Sequence, residues 1–235
     1  MMHNHNTLIL AAGRSQFLRP DGSQISKYEY NVSEKTFIER ITSTYRSGNT
    51  YLALSRADMS IKLKDIENIS VGDTKGALAS ALIALRECDL DLPIFITPGD
   101  ALISKKHYDD FCLESLQSNE EISLIVFDSQ NPKYSYVRML NKKLVEVCEK
   151  KVISSKATAG IFYFKSGHLF MECAEWAIMN NFKTNGLFFL APAMNYAVLK
   201  GLNPILFQID EENYYRFSSN DEAAESERRY KNESQ

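Results

Sequence analysis

The residues best suited to chemistry lie near the start of the chain, between positions 7 and 27. An apolar run there ends in two alanines and Gly13, which predicts a buried first strand that breaks sharply. Small residues at such a break let a ligand approach the backbone closely, and exposed amide groups can point at an anion. Arg14, Arg19 and Lys27 follow and supply positive charge. We therefore predict a phosphate or nucleotide site, whose backbone part is Leu10, Ala11, Ala12 and Gly13.

A candidate carboxylate follows a later apolar strand. Asp100 comes after the apolar residues 94–97 and a Pro-Gly pair. Ligands of open α/β sheets bind beyond the carboxyl ends of strands, and Mg²⁺ prefers carboxylate oxygens. Asp100 is therefore a candidate Mg²⁺ ligand, with an aspartate that only closes the turn as the alternative. Asp89 and Asp91 form a competing D-x-D pair, but they precede the strand, which predicts an ordinary loop at the opposite edge.

A third candidate is the turn at residues 72–77, which leads into a predicted helix. Its exposed amides and small side chains suit a nucleobase or a phosphate, and the residues concerned are Thr74, Gly76 and Ala77. The alternative is that Asp73 or Thr74 is an ordinary helix N-cap. Neither the P-loop pattern nor G-x-G-x-x-G occurs in this chain.

Composition limits the partners. The 235 residues are 44% hydrophobic with a net charge of -3, which predicts one domain over residues 1–217 and a polar, solvated tail over 218–235. Clustered basic charge is lacking, so nucleic acid and an anionic membrane surface are not expected partners. The four cysteines are widely spaced, and no segment has the pattern of a signal peptide or a membrane span. These features predict reduced thiols and a cytoplasmic location.

Strands alternate with helices along the chain. The first half has the order of a parallel sheet wrapped by helices, whereas the second half contains strands joined by short polar turns, which favours an antiparallel addition. We therefore predict an α/β fold with a Rossmann-like, mixed but mainly parallel sheet flanked by helices. Predicted helices span residues 36–46, 76–87, 106–117, 169–180 and 188–200, and strands after the first span 51–54, 93–97, 122–127, 135–140, 144–147, 159–164 and 204–209.

These segments together resemble the sugar-phosphate nucleotidyltransferase family, also called nucleoside-diphosphate-sugar pyrophosphorylases, in its short single-domain form. Residues 8–13 are similar to the family's opening strand and nucleotide loop, and Lys27 stands at the lysine of its Pro-Lys-Pro-Leu signature. The order of the matches across residues 7–217 makes the resemblance specific. Further matching segments are residues 32–40, 74–77, 98–100, 135–138, 147–151, 157–164 and 185–192.

The resemblance implies the nucleotide-diphospho-sugar transferase fold, which is like that of GT-A enzymes. It also implies transfer of a nucleotidyl group from a nucleoside triphosphate to a sugar 1-phosphate or similar molecule, with release of pyrophosphate. Among the bases, which these residues do not identify, we favour a pyrimidine. In this scheme Asp100 holds Mg²⁺, Arg14 and Lys27 hold the triphosphate, and Lys150 holds the acceptor phosphate. The other implied acceptor-site residues are Tyr136, Glu149, Gly160 and Asn185. A homo-oligomer is a further expectation of the resemblance.

The chain also departs from the family pattern. The second glycine and the arginine of a G-x-G-x-R loop are missing, so Arg14 is predicted to take over triphosphate contacts in an active, Mg²⁺-dependent enzyme. A second metal-binding aspartate is not visible in residues 214–219, where Asp210 is the nearest substitute. Two alternatives follow, a GT-A-type glycosyltransferase and a non-catalytic nucleotide-binding or regulatory module.

Overall fold

A computed structural model of the chain describes residues 4–13, 16–18, 22–32 and 34–233. Helices alternate with strands in the order expected for an α/β fold. The elements are β1 (Asn6–Ala11), β2 (Gln16–Leu18), β3 (Gln24–Ser26), β4 (Asn31–Val32), β5 (Lys35–Thr36), α1 (Phe37–Tyr45), β6 (Asn49–Leu54), β7 (Glu67–Ser70), α2 (Ala77–Ala84), β8 (Ile94–Pro98), β9 (Ala101–Leu102), α3 (Lys105–Gln117), β10 (Ile122–Asp128), β11 (Ser135–Leu140), β12 (Lys143–Cys148), β13 (Lys156–Phe164), α4 (Gly167–Met179), α5 (Leu190–Ala193), α6 (Asn195–Lys200), β14 (Ile205–Gln208), β15 (Tyr215–Arg216) and α7 (Asn220–Glu233).

Nine of the described strands form one mixed sheet. Its main path runs β12-β11-β13-β8-β1-β6-β7, and β10 joins β13 to β14. β1 pairs in parallel with both β6 and β8, β6 pairs in parallel with β7, and β13 runs antiparallel to β8, β10 and β11. The predicted change from parallel to antiparallel pairing, and with it the predicted fold class, is confirmed.

The sheet is covered on both faces, which explains why every residue of β1 is buried. Side chains alternate across a strand, so Ile9 joins a core with the Phe37 side of α1, while Leu8 joins a second core with the Leu78 side of α2. A strand buried on both faces reads as a continuous apolar run rather than an alternating one. In the sheet β1 lies between β8 and β6, so the end of β1 and the loop after it lie inside the edge formed by the strand ends.

The C-terminal segment differs from its prediction. Residues 218–235 were expected to form a solvated tail, yet residues 220–233 form helix α7, with Ala223 and Ser226 buried against the body of the protein. Tyr230 packs its ring edge-on against Tyr215, 5.5 Å between centroids. The prediction failed because this amphipathic helix buries mostly small side chains, which add little to hydrophobicity. The domain boundary at residue 217 stays a prediction.

Smaller differences concern short elements. The helix expected over residues 188–200 is divided into α5 and α6, which meet at Met194. Sequence analysis also missed the pairs β2/β3, β4/β5 and β9/β15, as well as the edge strand β7, because strands of two to four residues leave too little periodicity to detect. In the described part of the chain, no helix combines the length and apolar character needed to cross a bilayer.

Candidate active site

A cavity of about 690 Å³ opens at the carboxyl ends of β1 and β8. This volume lies within the range of roughly 300–1,000 Å³ that is usual for small-molecule sites. One wall, here called the nucleotide wall after the site predicted there from sequence, is formed by Leu10, Ala12, Gly13, Lys27, residues 72–74, Gly76, Ala77 and residues 98–100. The opposite acceptor wall is formed by residues 133–135, Glu149, Lys150 and residues 158–160. Apolar side chains of Phe162, Leu187, Phe189, Leu190 and Ala191 also line the cavity, as do Ser80, Tyr214, Arg216 and Ser218.

The nucleotide wall depends on close backbone packing at two glycines. A Cβ added at Gly99 would lie 2.3 Å from the carbonyl oxygen of Leu10, and one added at Gly76 would lie 2.2 Å from that of Phe188. Gly76 also has a φ of +112°, in the region that favours glycine. The backbone of Phe188 bonds to Lys75 and Leu78, at 2.8 and 3.1 Å, and so ties the start of α2 to the late loop. Glycine is required at positions 76 and 99 because a side chain there would collide with the neighbouring backbone.

The turn before α2 is not capped as its alternative interpretation proposed. The N-cap of α2 is Gly76, so neither Asp73 nor Thr74 occupies that position. The Thr74 hydroxyl instead lies 2.6 Å from the Ser80 hydroxyl, and both side chains line the cavity. The cavity therefore meets a helix start with no side-chain cap, which suits a base or an anion.

Lys27 lies buried at the other end of the nucleotide wall. Its side chain is 3% exposed, and a Cβ added at Gly13 would lie 3.2 Å from its Nζ. Burial lowers the pKa of Lys27, while the nearby carboxylates of Asp100 and Asp58 oppose that shift. A buried ammonium next to a glycine loop is costly unless it is paired, and a phosphate of a bound ligand would provide a stronger partner.

Asp100 is joined, by both backbone and side chain, to the two residues that follow β15. The amide of Phe217 donates to the Asp100 carbonyl at 2.8 Å, and the Ser218 hydroxyl donates to Asp100 Oδ2 at 3.1 Å. Arg216 Nη2 in turn donates to the Ser218 hydroxyl at 3.0 Å. Arg216, Ser218 and Asp100 therefore form one hydrogen-bonded chain, and all three line the cavity.

The acceptor wall carries a carboxylate and an ammonium from adjacent residues. Glu149 accepts a hydrogen bond from Ser135, and burial raises the pKa of its carboxyl group. Lys150 has a φ of +53°, and its Nζ lies 4.6 Å from the centroid of the Phe189 ring. Gly160, at φ +75°, donates its amide to the Thr158 hydroxyl at 2.9 Å. The Lys150 ammonium and the Glu149 carboxylate therefore offer a cation and a hydrogen-bond acceptor to a polar ligand.

The structure brings most of the predicted site residues to this cavity. Those that line it are Leu10, Ala12, Gly13, Lys27, Thr74, Gly76, Ala77, Asp100, Glu149, Lys150 and Gly160. Ala11 does not line it, because its side chain lies in the core. Arg14 lies outside the described residues.

Three further predicted residues are not brought to the cavity. Tyr136 is fully buried, and its hydroxyl donates to the Asn131 carbonyl at 2.8 Å, which is a structural contact. Asn185 lies in a tight turn at φ +52° and does not line the cavity. Asp210 lines a neighbouring cavity instead, because it stands at the N-cap of the short 3₁₀ turn Glu211–Asn213. The structure thus gives Asp210 no place beside Asp100.

Sequence analysis missed other lining residues, of which Arg216, Ser218, Lys133 and Tyr134 are the polar ones most suited to a ligand. Arg216 and Ser218 stand in the very segment that was searched for a second aspartate. Their position shortly after the last strand of the main sheet was the available signal. It was overlooked because only a carboxylate was sought there.

The donor set decides how a Mg²⁺ ion would be held. Within the described residues no group of three or more histidine, cysteine or acidic side chains is arranged to hold a metal. Mg²⁺ is commonly held by one or two carboxylates together with substrate phosphates. Asp100, with one oxygen already accepting from Ser218, fits an ion shared with a bound triphosphate, and the cavity does not fit a site made by protein alone.

Comparisons with known proteins locate the fold. No family model and no curated protein matches the sequence. A nucleoside-diphosphate-sugar pyrophosphorylase from Vibrio cholerae has a similar structure, with a TM-score of 0.77, 18% identity, and coverage of 95% of this chain and 99% of that one. A protein described as a glucose-1-phosphate thymidylyltransferase from Bacillus anthracis gives 0.71 and 14%, covering 95% and 94% of the two chains. An inositol-1-phosphate CTP transferase from T. maritima gives 0.71 and 16%, covering 97% and 96%. The chain therefore has the nucleotide-diphospho-sugar transferase fold over nearly its full length.

Proposed function

We propose that this protein transfers a nucleotidyl group from a nucleoside triphosphate to a phosphorylated small molecule and releases pyrophosphate. The observation that carries the proposal is the pairing of the two walls in one cavity. The nucleotide wall offers a small-residue loop, an uncapped helix start and a buried lysine, and the acceptor wall offers a second lysine beside a carboxylate. A reaction that joins two phosphorylated molecules needs such a pair of subsites.

In the proposed reaction an oxygen of the acceptor phosphate attacks the α-phosphorus in line, and the bond from that phosphorus to the bridging oxygen of pyrophosphate breaks. The acceptor phosphate is already ionised near neutral pH, so no general base is required. The protein therefore acts by alignment and by neutralising charge. Lys27 holds the triphosphate near Gly13, and Lys150 holds the acceptor phosphate. Bound Mg²⁺, held by Asp100 together with the phosphates, would supply further charge neutralisation.

The charges along the cavity agree with this assignment. Among the described lining residues four are cationic and three are carboxylates: Lys27, Lys133, Lys150 and Arg216 against Asp73, Asp100 and Glu149. The excess of positive charge is small, so the cavity suits a few phosphates and not an extended polyanion such as nucleic acid.

The names of the structural neighbours support a more specific proposal for the two substrates. Two of the three are described as transferring a thymidylyl group or using CTP, and the acceptors in their names are phosphate monoesters of a polyol ring. We therefore propose a pyrimidine triphosphate and a sugar 1-phosphate or similar acceptor, with nucleotide-sugar biosynthesis in the cytoplasm as the setting and a homo-oligomer as the assembly.

A glycosyltransferase is less well supported. Its D-x-D candidate lies before β8, where the Asp89 carbonyl accepts from the Asn6 side chain at 2.7 Å and Asp91 lies 3.3 Å from His168. This loop is at the amino end of the strand, and the cavity is at the carboxyl end. The pair therefore has no access to a ligand bound beside Asp100.

Pyrophosphate release tests the proposal. CTP, UTP, dTTP, ATP and GTP are each incubated with Mg²⁺ and with glucose 1-phosphate, inositol 1-phosphate or phosphocholine, with acceptor-free reactions as controls. We expect pyrophosphate from at least one pyrimidine triphosphate, only when an acceptor is present. Consumption of UDP-glucose without pyrophosphate would favour a glycosyltransferase. Triphosphate binding without turnover under any combination would favour the non-catalytic module.

A further inference from the structure

Arg216 lines the cavity, and the proposed reaction assigns it no role. Its strand β15 pairs with β9, so that Arg216 lies opposite Ala101, next to Asp100 in the chain. The Arg216 guanidinium packs 5.5 Å from the centroid of the Tyr134 ring, and the Ser226 hydroxyl holds the Arg216 carbonyl at 2.7 Å. Backbone pairing, ring contact and the helix α7 together hold this cation at the cavity wall.

The guanidinium has donors to spare. Nη2 donates to Ser218, whereas Nη1 is buried and has no hydrogen-bond partner among the described residues. The nearest carboxylate, Glu222, is 3.8 Å from Nη1 and is engaged with the Ser218 amide at 3.3 Å and Lys133 at 3.4 Å. A buried guanidinium N–H without a partner is costly, and an anionic oxygen entering the cavity would satisfy it.

We infer that Arg216 binds a phosphate of the triphosphate beside Asp100, and that this fixed cation stands in the place of a second metal-binding carboxylate. Mg²⁺, held by Asp100 and the phosphates alone, then contributes more to turnover than to triphosphate binding. Arg216 and Ser218 stand where a second metal-binding aspartate was sought, and they attach to Asp100 through Ser218. An aspartate there would add negative charge that only a bound metal could offset. The guanidinium instead brings the positive charge on the chain itself, with Lys27 as the second cation beside Asp100.

This inference rests on the proposed function for the identity of the ligand, and it has a distinct consequence. Triphosphate binding depends strongly on Arg216 and only weakly on Mg²⁺. The competing explanation is that Arg216 merely supports Glu222 and Tyr134 in the fold. That structural role predicts lower stability on substitution, with unchanged ligand affinity in the molecules that remain folded.

Calorimetric titration with inorganic tripolyphosphate and with CTP separates the two explanations. Each probe is titrated into wild type, Arg216→Met, Arg216→Lys and Arg216→Asp, once with Mg²⁺ and once with EDTA. We expect wild-type affinity for both probes to change by less than about tenfold on removing Mg²⁺, and Arg216→Met to bind at least about tenfold more weakly in EDTA. Arg216→Asp should bind only with Mg²⁺, because it presents two carboxylates.

Arg138→Met is the matched control, since Arg138 is exposed, pairs with Glu146 and does not line the cavity. Its affinity should equal that of wild type. Arg216→Lys keeps the charge and replaces Arg216→Met as the test variant if circular dichroism shows that Arg216→Met does not fold. Arg216→Lys should bind both probes more weakly than wild type, because a lysine cannot reproduce the fork of donors. Wild-type affinity in Arg216→Met, or loss of wild-type binding in EDTA, would overturn the inference. Arg216-dependent binding without pyrophosphate release would leave the inference intact and reject only the proposed reaction.

Discussion

The two walls of the cavity are held in place by different means. On the nucleotide wall, backbone packs on backbone: Gly99 against Leu10, and Gly76 against Phe188. On the acceptor wall, the shape comes from left-handed backbone at Lys150 and Gly160 and from the side-chain contact of Glu149 with Ser135. An added Cβ at Gly160 would meet nothing nearer than 3.9 Å. At Gly99 and Gly76 the nucleotide wall therefore has no room for a Cβ, whereas at Gly160 on the acceptor wall the Cβ has space and only the positive φ opposes it.

This difference separates what the two walls contribute to specificity. A triphosphate is common to every reaction of the proposed type, so a rigid wall built from main chain suits it. An acceptor varies from enzyme to enzyme, and a wall defined by side chains on antiparallel strands can change one residue at a time without moving the sheet. Substitutions on the two walls should accordingly affect different measurements.

The largest effect is expected at Asp100. Asp100→Asn keeps the shape of the residue but removes the carboxylate that a shared Mg²⁺ would use. The activation free energy should rise by about 4 kcal/mol, so that kcat falls roughly a thousandfold. Triphosphate affinity in EDTA should not weaken, because a negative charge has been removed from beside the phosphates. Initial rates of pyrophosphate release and calorimetry measure the two quantities.

Asp89→Asn is the control, because it alters a carboxylate at the opposite sheet edge. Its turnover should match wild type. If Asp100→Asn retained normal turnover in a folded state, Asp100 would not be the metal ligand.

Packing of the nucleotide wall is tested next, at Gly76. Gly76→Ala forces a Cβ to within 2.2 Å of the Phe188 carbonyl and holds alanine at φ +112°, so the free energy of unfolding should fall by about 3 kcal/mol or more. Gly186→Ala also places alanine at a positive φ, +79°, but its Cβ has open space, and the loss should be about 1 kcal/mol. Urea denaturation gives both values. Equal losses would show that strain alone, without close contact, sets the cost at Gly76.

The two lysines should separate the walls kinetically. Lys27→Met should lower kcat/KM for the triphosphate, and Lys150→Met should lower kcat/KM for the acceptor. Each loss should correspond to about 2 kcal/mol of transition-state stabilisation, the scale of a charge-assisted hydrogen bond left unmade. Steady-state kinetics with each substrate varied in turn measures this. The opposite pattern would exchange the two subsites.

Stability gives the Lys27 variant a second readout. Burial lowers the pKa of Lys27 below its value in the unfolded chain, so the charged lysine costs folding free energy at neutral pH. Lys27→Met should therefore raise the free energy of unfolding by about 1 kcal/mol at pH 7. This advantage should shrink as pH rises through the folded pKa, because the lysine then loses its proton. An unchanged or lower stability at pH 7 would contradict a buried, charged Lys27.

Much of the nucleotide wall could be predicted from the sequence. An apolar run that ends in Gly13, and another that ends before Asp100, identify strand ends, and parallel strands bring such ends together. Arg216 could not be predicted in the same way, because the pairing of β15 with β9 involves two residues on each strand. Tyr136 was assigned to the acceptor site through the resemblance alone. In the structure both Tyr136 and Val137 are buried, in the two cores on opposite faces of β11.

Helix α7 was not predicted for a related reason, since its buried positions are small or polar residues such as Ala223 and Ser226. Burial of small side chains is a property of the partner surface, and a single sequence does not display that surface. Asp210 was named instead of Arg216 because only a carboxylate was sought near residues 214–219. The fold places Arg216, and not Asp210, at the cavity beside Asp100.

The attachment of Arg216 to α7 has a consequence for biosynthesis. Ser226 holds the Arg216 carbonyl, and Arg229 reaches the Tyr214 carbonyl at 3.1 Å, so the strand that carries the cation is braced by the helix after it. A nascent chain that has emerged from the ribosome as far as β14 can already pair the main sheet and close the core on the Leu8 face. The core on the Ile9 face still lacks Tyr215, Phe217 and Ala223. The chain also lacks the cation beside Asp100. On the proposed function, folding of the sheet and completion of the triphosphate site are thus separate events during translation, and the second waits for α7.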